Sequence, residues 1–259
     1  MKNIKVTFFL TIAFSINILH AQNSTRLIKA SAYYKQLEEN KPPATAAMAG
    51  FVSNNIPADL IKAIKEVLGS EKKIRSLFLG KNNSYCLVYG NNGYSTYGLP
   101  DKMVDELDKC NHNKLQINVA VTDNDGGWVV VNGNNGYSYE AIPDDAANEI
   151  ARCNTSQLKI RIVAFTGTGG WLIINGDNNY RYAGIPQGLA AKIKECKEKS
   201  QVIEQVAFSP SGGWIIIYNH NAYAYQNIPS EAVEKLKDYN KKGLKISFIA
   251  FNRNGYIIG

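Results

Sequence analysis

The chain has 259 residues, of which 45% are hydrophobic and 20% are charged, an ordinary composition for a globular protein that argues against disorder. Its formal charge is +7. Lysines mix with acids in the segments expected to be helical, as at Glu234, Lys235 and Asp238. This is the pattern of a solvated helix face and not the one-sided basic patch of a nucleic-acid-binding protein. Nucleic acid is therefore not an expected partner.

Residues 1–21 have the features of a signal peptide. Lys2 and Lys5 form a short basic start, and a mostly apolar run from Val6 to Leu19 follows. That run is shorter than the roughly 20 residues that a membrane-spanning helix needs. Ala21 provides a plausible cleavage point. We therefore expect a secreted or periplasmic protein without a membrane anchor.

Internal repetition is the strongest signal in the chain. Prolines recur every 43 residues, at Pro57, Pro100, Pro143, Pro186 and Pro229. Six positions before each proline stands an aromatic residue, and these are Phe51, Tyr94, Tyr137, Tyr180 and Tyr223. Three tryptophans have the same spacing, namely Trp128, Trp171 and Trp214. Chance does not produce this pattern, and it indicates a repeat architecture.

Each repeat predicts one helix and three strands. The proline opens the helix, because its φ is already helical and its missing N–H is harmless there. Apolar residues then follow at helical spacing, as at Leu189 and Ile193. The strands are clearest at 158–165, 171–175 and 180–185, and the second is almost wholly apolar, as expected of a strand covered on both faces. Turns rich in glycine and asparagine join them.

The two ends of the repeat region indicate a closed ring. Residues 246–258 supply two strands of a last unit, and residues 50–57 supply a third strand with no first or second before it. Their pairing would complete five units over residues 45–259 and would remove exposed sheet edges. The predicted fold is therefore α/β (α+β), a closed five-fold toroid of 43-residue βββα repeats, closed by the N-terminal strand.

This architecture resembles two kinds of ring. One is the five-fold α/β propeller of the pentein type, and the other is a five-bladed β-propeller with helices outside the blades. Both resemblances cover residues 45–259 and carry no function with them. Residues 22–44, with a helix expected at 25–39, are left as a leader of unknown placement.

The cysteines do not suggest catalysis. Cys110, Cys153 and Cys196 recur at one helical position that Val67 occupies in the first unit. The position therefore favours an apolar side chain, and we expect these cysteines to be buried free thiols. A Cys86–Cys110 disulfide is left open as an alternative. Catalysis through a nucleophile also needs a base in reach.

Metal sites and cofactors are not expected either. The histidines that remain after signal removal, His112 and His220, do not recur, and no CxxC or CxxH spacing suggests a metal site. Residues 123–126 resemble a fragment of a calcium loop, but the later bidentate acid is missing. We interpret that segment as a turn. The prediction is a protein with no enzymatic activity, no metal and no cofactor.

Aromatic residues beside amide-rich turns are the remaining indication of function. Sugars pack their C–H faces on aromatic rings and need amide partners for their hydroxyls. The candidate ligand-binding residues are Trp128, Trp171, Trp214, Tyr137, Tyr180, Tyr223, Asn135 and Asn178. The competing interpretation is that the aromatics are wedges between the sheets and the helices.

The functional prediction is a secreted, non-enzymatic binding module. It would engage a glycan through repeated loops, where several weak sites gain by avidity. The alternative is a scaffold that binds one extracellular protein, which the differences between the loops would favour. A pentein-like or propeller hydrolase is the third hypothesis and would need a polar cluster at the ring axis.

Overall fold

A helix of 12 residues follows each recurring proline in the computed structural model, which describes residues 51–123, 125–253 and 255–259. The helices are α1 (Ala58–Gly69), α2 (Asp101–His112), α3 (Asp144–Thr155), α4 (Gln187–Glu198) and α5 (Ser230–Lys241). Each proline lies one residue before its helix and not at the first helical position, with φ between −56° and −51°. The proline ring fixes that angle, and the proline carbonyl accepts the first helical hydrogen bond, as from Ile61 to Pro57 at 3.1 Å.

The predicted signal peptide (1–21) and leader (22–44) lie outside the described residues. Among the residues that are described, no helix is both long enough and apolar enough to span a bilayer.

Fifteen strands of the described chain form five separate three-stranded antiparallel sheets. The first strands are β2 (Ile74–Leu79), β5 (Ile117–Thr122), β8 (Ile160–Phe165), β11 (Ile203–Phe208) and β14 (Ile249–Phe251). The middle strands are β3 (Tyr85–Tyr89), β6 (Trp128–Asn132), β9 (Trp171–Asn175), β12 (Trp214–Tyr218) and β15 (Tyr256–Ile258). The outer strands are β4 (Gly93–Tyr97), β7 (Gly136–Glu140), β10 (Asn179–Ala183), β13 (Ala222–Gln226) and β1 (Val52–Asn54). The apolar middle strand is confirmed, since β6 and β9 are buried along their whole length.

Strand β1 completes the sheet at the other end of the chain. It pairs antiparallel with β15, with Val52 opposite Ile258 and Asn54 opposite Tyr256, and β15 pairs in turn with β14. The side chain of Asn54 also donates from Nδ2 to Glu231 Oε2 on α5 at 2.8 Å. The predicted pairing of the N-terminal strand with the last two strands is therefore confirmed.

The first strands of the five sheets meet around a common cavity. β2 contacts β5, β5 contacts β8, β8 contacts β11, β11 contacts β14, and β14 contacts β2. A cavity of about 80 Å³ is lined by residues of all five strands, among them Leu79, Val163, Phe208 and Phe251. The sheets are thus arranged like the blades of a propeller, with the first strands innermost and apolar side chains around the axis.

Hydrophobic clusters between neighbouring sheets hold the helices. Each cluster joins the apolar face of one helix to the middle strands of two consecutive sheets. In one of them Leu107 and Cys110 of α2 pack with Val88 of β3 and Val130 of β6. Full burial of such an aliphatic side chain contributes roughly 1.5–3 kcal/mol. Packing between sheets, more than helix propensity, therefore fixes the helices in place.

A β-bulge interrupts the first strand in four of the sheets. The pairing register with the middle strand shifts by one residue, and the extra residues are Arg75, Asn118, Arg161 and Glu204. In one sheet Asn118 Nδ2 donates to Gly133 O in the following hairpin turn at 2.8 Å. In another, Glu204 accepts instead, from the backbone N–H of His220 at 3.1 Å. The bulges therefore bring polar side chains to the end of the sheets that carries the asparagine-rich turns.

Candidate functional site

The three recurring tryptophans are core residues. Trp128, Trp171 and Trp214 are each 5% exposed. The indole N–H of Trp171 donates to Asp145 Oδ1 at 2.8 Å, and that of Trp214 donates to Gln226 Oε1 at 3.2 Å. A ligand would find neither a free ring face nor a free donor there. The tryptophans therefore pack between the sheets and the helices, and they are not part of the candidate site.

The recurring tyrosines lie on the outer strands and pack against each other in pairs, two of them stacked and the third tilted by 31°. The pairs are Tyr137 with Tyr139, Tyr180 with Tyr182, and Tyr223 with Tyr225, with ring centroids 6.0–6.1 Å apart. The first ring of each pair is partly buried against a core cluster, and the second is 40–44% exposed. Three consecutive sheets therefore each present one exposed ring that is supported by a partly buried one.

Asn178 has a structural role. It is 5% exposed, and its Nδ2 donates to Gln201 O at 2.5 Å. Its Oδ1 accepts from the backbone N–H of Ile203 at 3.2 Å and from Arg161 Nη1 at 3.3 Å. These bonds tie the β9–β10 turn to the beginning of the next sheet and leave little of the carboxamide for a ligand.

Asn135, the equivalent residue of the preceding repeat, lies in an open polar crevice of about 540 Å³, where its carboxamide nitrogen donates to Asn134 O at 2.6 Å and to Leu158 O at 3.2 Å. The crevice is lined by Asn134, Asn135, Asn154, Gln157 and Lys159, and we refer to it as the amide crevice. Two of these residues lie in the β6–β7 turn, two at or just beyond the C-terminal end of α3, and one directly before β8. Four carboxamides and one ammonium group are thus brought together by two separate pieces of backbone, the turn at 134–135 and the segment 154–159.

Backbone contacts fix the shape of the amide crevice. Asn154 Nδ2 donates to Asn135 O and so holds the last turn of α3 against the hairpin turn. Gln157 has a φ of +52°, the left-handed conformation that commonly ends a helix. The side chains of Asn134, Gln157 and Lys159 are exposed. Within the described part of the chain these three side chains make no hydrogen bond or ion pair, so they are available to a ligand.

The contact between helix and turn recurs in other repeats. The bonds equivalent to that of Asn154 join Asn111 Nδ2 to Asn92 O at 3.1 Å and Asn240 Nδ2 to Asn221 O at 3.2 Å. At the end of α4 a lysine takes the place of the asparagine, and Lys197 Nζ donates to Asn179 Oδ1 at 2.9 Å. The amide-type junction therefore occurs in three of the repeats and is replaced by a charged one in a fourth.

Of the residues that line the crevice, sequence reasoning identified Asn135 alone. It missed Asn134, Asn154, Gln157 and Lys159, because these belong to two separate segments that no single motif joins. One signal was available, since asparagine recurs in the last helical turn at positions 111, 154 and 240, in register with the asparagine-rich turns.

The four cysteines are free and buried, so Cys86 and Cys110 are not bridged in this structure. Burial raises the pKa of the Cys86 thiol to about 12. For Cys153, burial and then the neighbouring Glu149 carboxylate raise the pKa to about 11. Because the thiolate is the reactive form, protonated thiols of this kind are poor nucleophiles.

The segment that resembles a calcium loop has a turn-forming acid. Asp123 Oδ1 accepts the backbone N–H groups of Asp125 and Gly127, both at 2.8 Å. Thr166 Oγ1 accepts from Gly170 N–H at 2.8 Å at the equivalent place in the next repeat, which shows that the position serves the turn. No cluster of three or more metal-ligating side chains occurs among the residues that the structure describes.

Comparison with known proteins leaves the family unassigned. No family model matches the chain, and no curated protein does. A solved structure described as YCF48 bound to D1 peptide is similar at 12% sequence identity with a TM-score of 0.26, and the match covers 61% of this chain and 52% of that one. The chain thus spans about half the length of that structure. Function is therefore inferred from the geometry of the described residues.

Proposed function

We propose that the protein is a secreted or periplasmic, non-enzymatic binding module that binds a glycan at the amide crevice. The observation that supports this most directly is the set of exposed, unpartnered side chains of Asn134, Gln157 and Lys159 around one open crevice. Its volume of about 540 Å³ lies within the range usual for small-molecule sites. Sugar hydroxyls both donate and accept hydrogen bonds, and a carboxamide offers both functions at fixed positions.

The scaffold of this module is a closed five-fold toroid, best described as a β-propeller with a helix between the outer parts of neighbouring blades. The unbroken succession of contacts between first strands, including that of β14 with β2, supports closure. The pairing of β1 with β15 supports it independently. Rigid sheets then present the crevice from well-anchored turns, which is how binding loops are commonly supported.

A binding role accounts better than catalysis for the titratable groups. The thiols are buried and protonated, as described above. His220 Nδ1 lies 2.9 Å from Glu204 Oε1, but its side chain is 74% exposed on a hairpin turn. Such a histidine would still need a nucleophile beside it to act as a catalytic base. The axial cavity, where a propeller hydrolase would need a polar cluster, is lined mainly by apolar side chains. No cofactor or metal is included in the proposal.

The test is a glycan-array screen of the protein, followed by calorimetric titration of the glycans that bind. The double variant Asn134→Ala/Gln157→Ala should lose binding at least tenfold, because it removes two exposed carboxamides from the crevice without touching the core. The matched control is Asp177→Ala/Ser200→Ala, which changes the equivalent positions of the next repeat, where Lys197 replaces the helix asparagine. Equal affinity of wild type and the crevice variant would overturn the proposed site.

The second candidate is a protein partner, supported by a different surface. Tyr139, Tyr182 and Tyr225 are exposed at equivalent places on three consecutive outer strands, and tyrosine is enriched in protein interfaces. A triple alanine variant should lose a protein partner in a pull-down and keep glycan affinity. The crevice variant should show the opposite pattern.

A further inference from the structure

The end of the sheets that holds the amide crevice also gathers positive charge. Lys73 and Lys159 immediately precede first strands, Lys245 lies four residues before β14, and Arg75 and Arg161 stand at the bulges two residues after Lys73 and Lys159. Backbone bonds fix the main chain of Lys73 and Lys159 beside the hairpin turns of their own sheets. Gly90 N–H donates to Lys73 O at 2.9 Å, and Gly176 N–H donates to Lys159 O at 3.0 Å.

Bonds between neighbouring sheets show that the first strands begin at the same level. Arg161 Nη2 donates to the backbone oxygen of Ile203 in the following sheet. Gln205 Nε2 donates to Ser247 O, and its Oε1 accepts from Ile249 N–H at 2.9 Å. The cations therefore lie at the end where the first strands begin, whereas the axial cavity is lined by residues nearer the other end of these strands.

This positive charge is only partly compensated. In the first strands and in the turns between middle and outer strands of the described chain the acids are Glu204 and Asp177, and Glu71 lies in the connection just before Lys73. Glu204 faces Lys245, with Oε2 3.5 Å from its Nζ, and it also faces the side chain of His220. Lys73, Arg75 and Lys159 make no ion pair within the described residues.

Charge and hydrogen-bonding groups thus meet in one place. Lys159 lines the amide crevice beside the exposed carboxamides of Asn134 and Gln157. A lysine ammonium forms its strongest hydrogen bonds with anionic oxygens, whereas carboxamides suit neutral hydroxyls. A ligand that satisfies both groups carries hydroxyls and an anion on the same ring.

We propose that the ligand of the amide crevice is an acidic glycan whose uronate carboxylate binds Lys159 while its hydroxyls bind the carboxamides. This inference rests on the proposed glycan-binding function.

The experiment is calorimetric titration of the full chain with tetragalacturonate, tetramannuronate and the methyl ester of each. Esterification removes the charge and keeps the sugar skeleton, so at least one acid should bind about tenfold more tightly than its own ester. That difference should shrink as sodium chloride is raised, because salt screens exposed charges. Lys159→Gln should abolish the preference, and Lys159→Arg should keep it. Lys235→Gln, on the exposed face of α5, serves as the control for a change in overall charge.

The outcomes separate this inference from the function on which it rests. If neither acid binds more tightly than its ester, or if Lys159→Gln keeps the full preference, the acidic-glycan inference is wrong. The crevice still stands in that case, provided that Asn134→Ala/Gln157→Ala weakens binding of the esters or of neutral glycans. If no glycan of any charge binds a folded protein, both proposals are wrong.

Discussion

The indole N–H of Trp171 on β9 donates to Asp145 Oδ1 in the first turn of α3 at 2.8 Å, which ties a helix to the sheet of the following repeat. Asp145→Ala leaves the donor of a buried ring without this partner, and we expect the free energy of unfolding to fall by about 1 kcal/mol. Urea denaturation measures the change. Asp144→Ala is the matched control, since it removes a neighbouring acid from the same helical turn. Equal stability of the two variants would show that the bond contributes nothing.

Asn178 is expected to matter for stability and not for binding. Its carboxamide bonds with Gln201, Ile203 and Arg161 across the boundary between two sheets. Asn178→Ala leaves buried partners unsatisfied and should cost about 2 kcal/mol in the free energy of unfolding. Asn134→Ala, at an exposed turn position, should change it by less than about 0.5 kcal/mol. Thermal and urea unfolding provide the comparison, and a variant at 178 as stable as the one at 134 would contradict the structural role.

The buried thiols predict a loss of stability at alkaline pH. Burial raises the pKa of Cys86 from 9.0 to about 12, so above pH 9 the unfolded chain releases this proton while the folded protein keeps it. The unfolded state then binds fewer protons, and the free energy of unfolding falls with rising pH, by at most about 1.4 kcal/mol per pH unit for each such thiol. The contribution is fully present below pH 9 and is lost between pH 9 and 12.

Urea unfolding under reducing conditions between pH 7 and 10 measures this slope. Cys86→Val is the matched control, because Val129 occupies the equivalent position in the next repeat and keeps an apolar side chain of similar size. The variant should show a shallower decline above pH 9 and little change at pH 7. An identical pH profile for the two proteins would mean that the Cys86 thiol ionises in the folded state as readily as in the unfolded one.

The repeat pattern predicts the elements well because helix and strand signals coincide in every unit. The middle strand expected at 171–175 is found as Trp171–Asn175, and the outer strand expected at 180–185 is found as Asn179–Ala183. The first strand expected from residue 246 begins only at Ile249. The reason is that the N–H groups of Ser247 and Phe248 both donate to Gly259 O, which interrupts the ladder.

The site was less predictable, since its features depend on neighbours that the sequence does not show. Arg161 is an extra residue in the strand pairing between Ile160 and Ile162. The sequence does not reveal this bulge, because a regular strand can have the same order of apolar, polar and apolar residues. The first position of a middle strand, as at Trp171, can face solvent or the next sheet. Only the packing of the preceding helix shows that this position is buried. The tryptophans are excluded from the candidate site for that reason.

Ring closure predicts that the chain tolerates new ends. Val52 and Ile258 are direct partners across β1 and β15. A turn of about five residues can therefore join residue 259 to residue 51, and the equivalent connection from β12 to β13, residues 218–222, provides its sequence. New ends between Asn91 and Asn92 keep every strand pair. This permutant should match an unpermuted 51–259 protein in circular dichroism and should melt within a few degrees of it, because both make the same contacts.

The complementary variant starts at Ala58 and so lacks β1. It leaves β15 without an outer strand and uncovers part of the cluster between the first and last sheets, to which Phe51 and Ile56 contribute. We expect a loss of several degrees or more in melting temperature, together with a tendency to associate through the exposed edge of β15. A truncated protein as stable and monomeric as the 51–259 protein would show that β1 does not hold the ring closed. Failure of the permutant alone would instead locate the fault in the new turn.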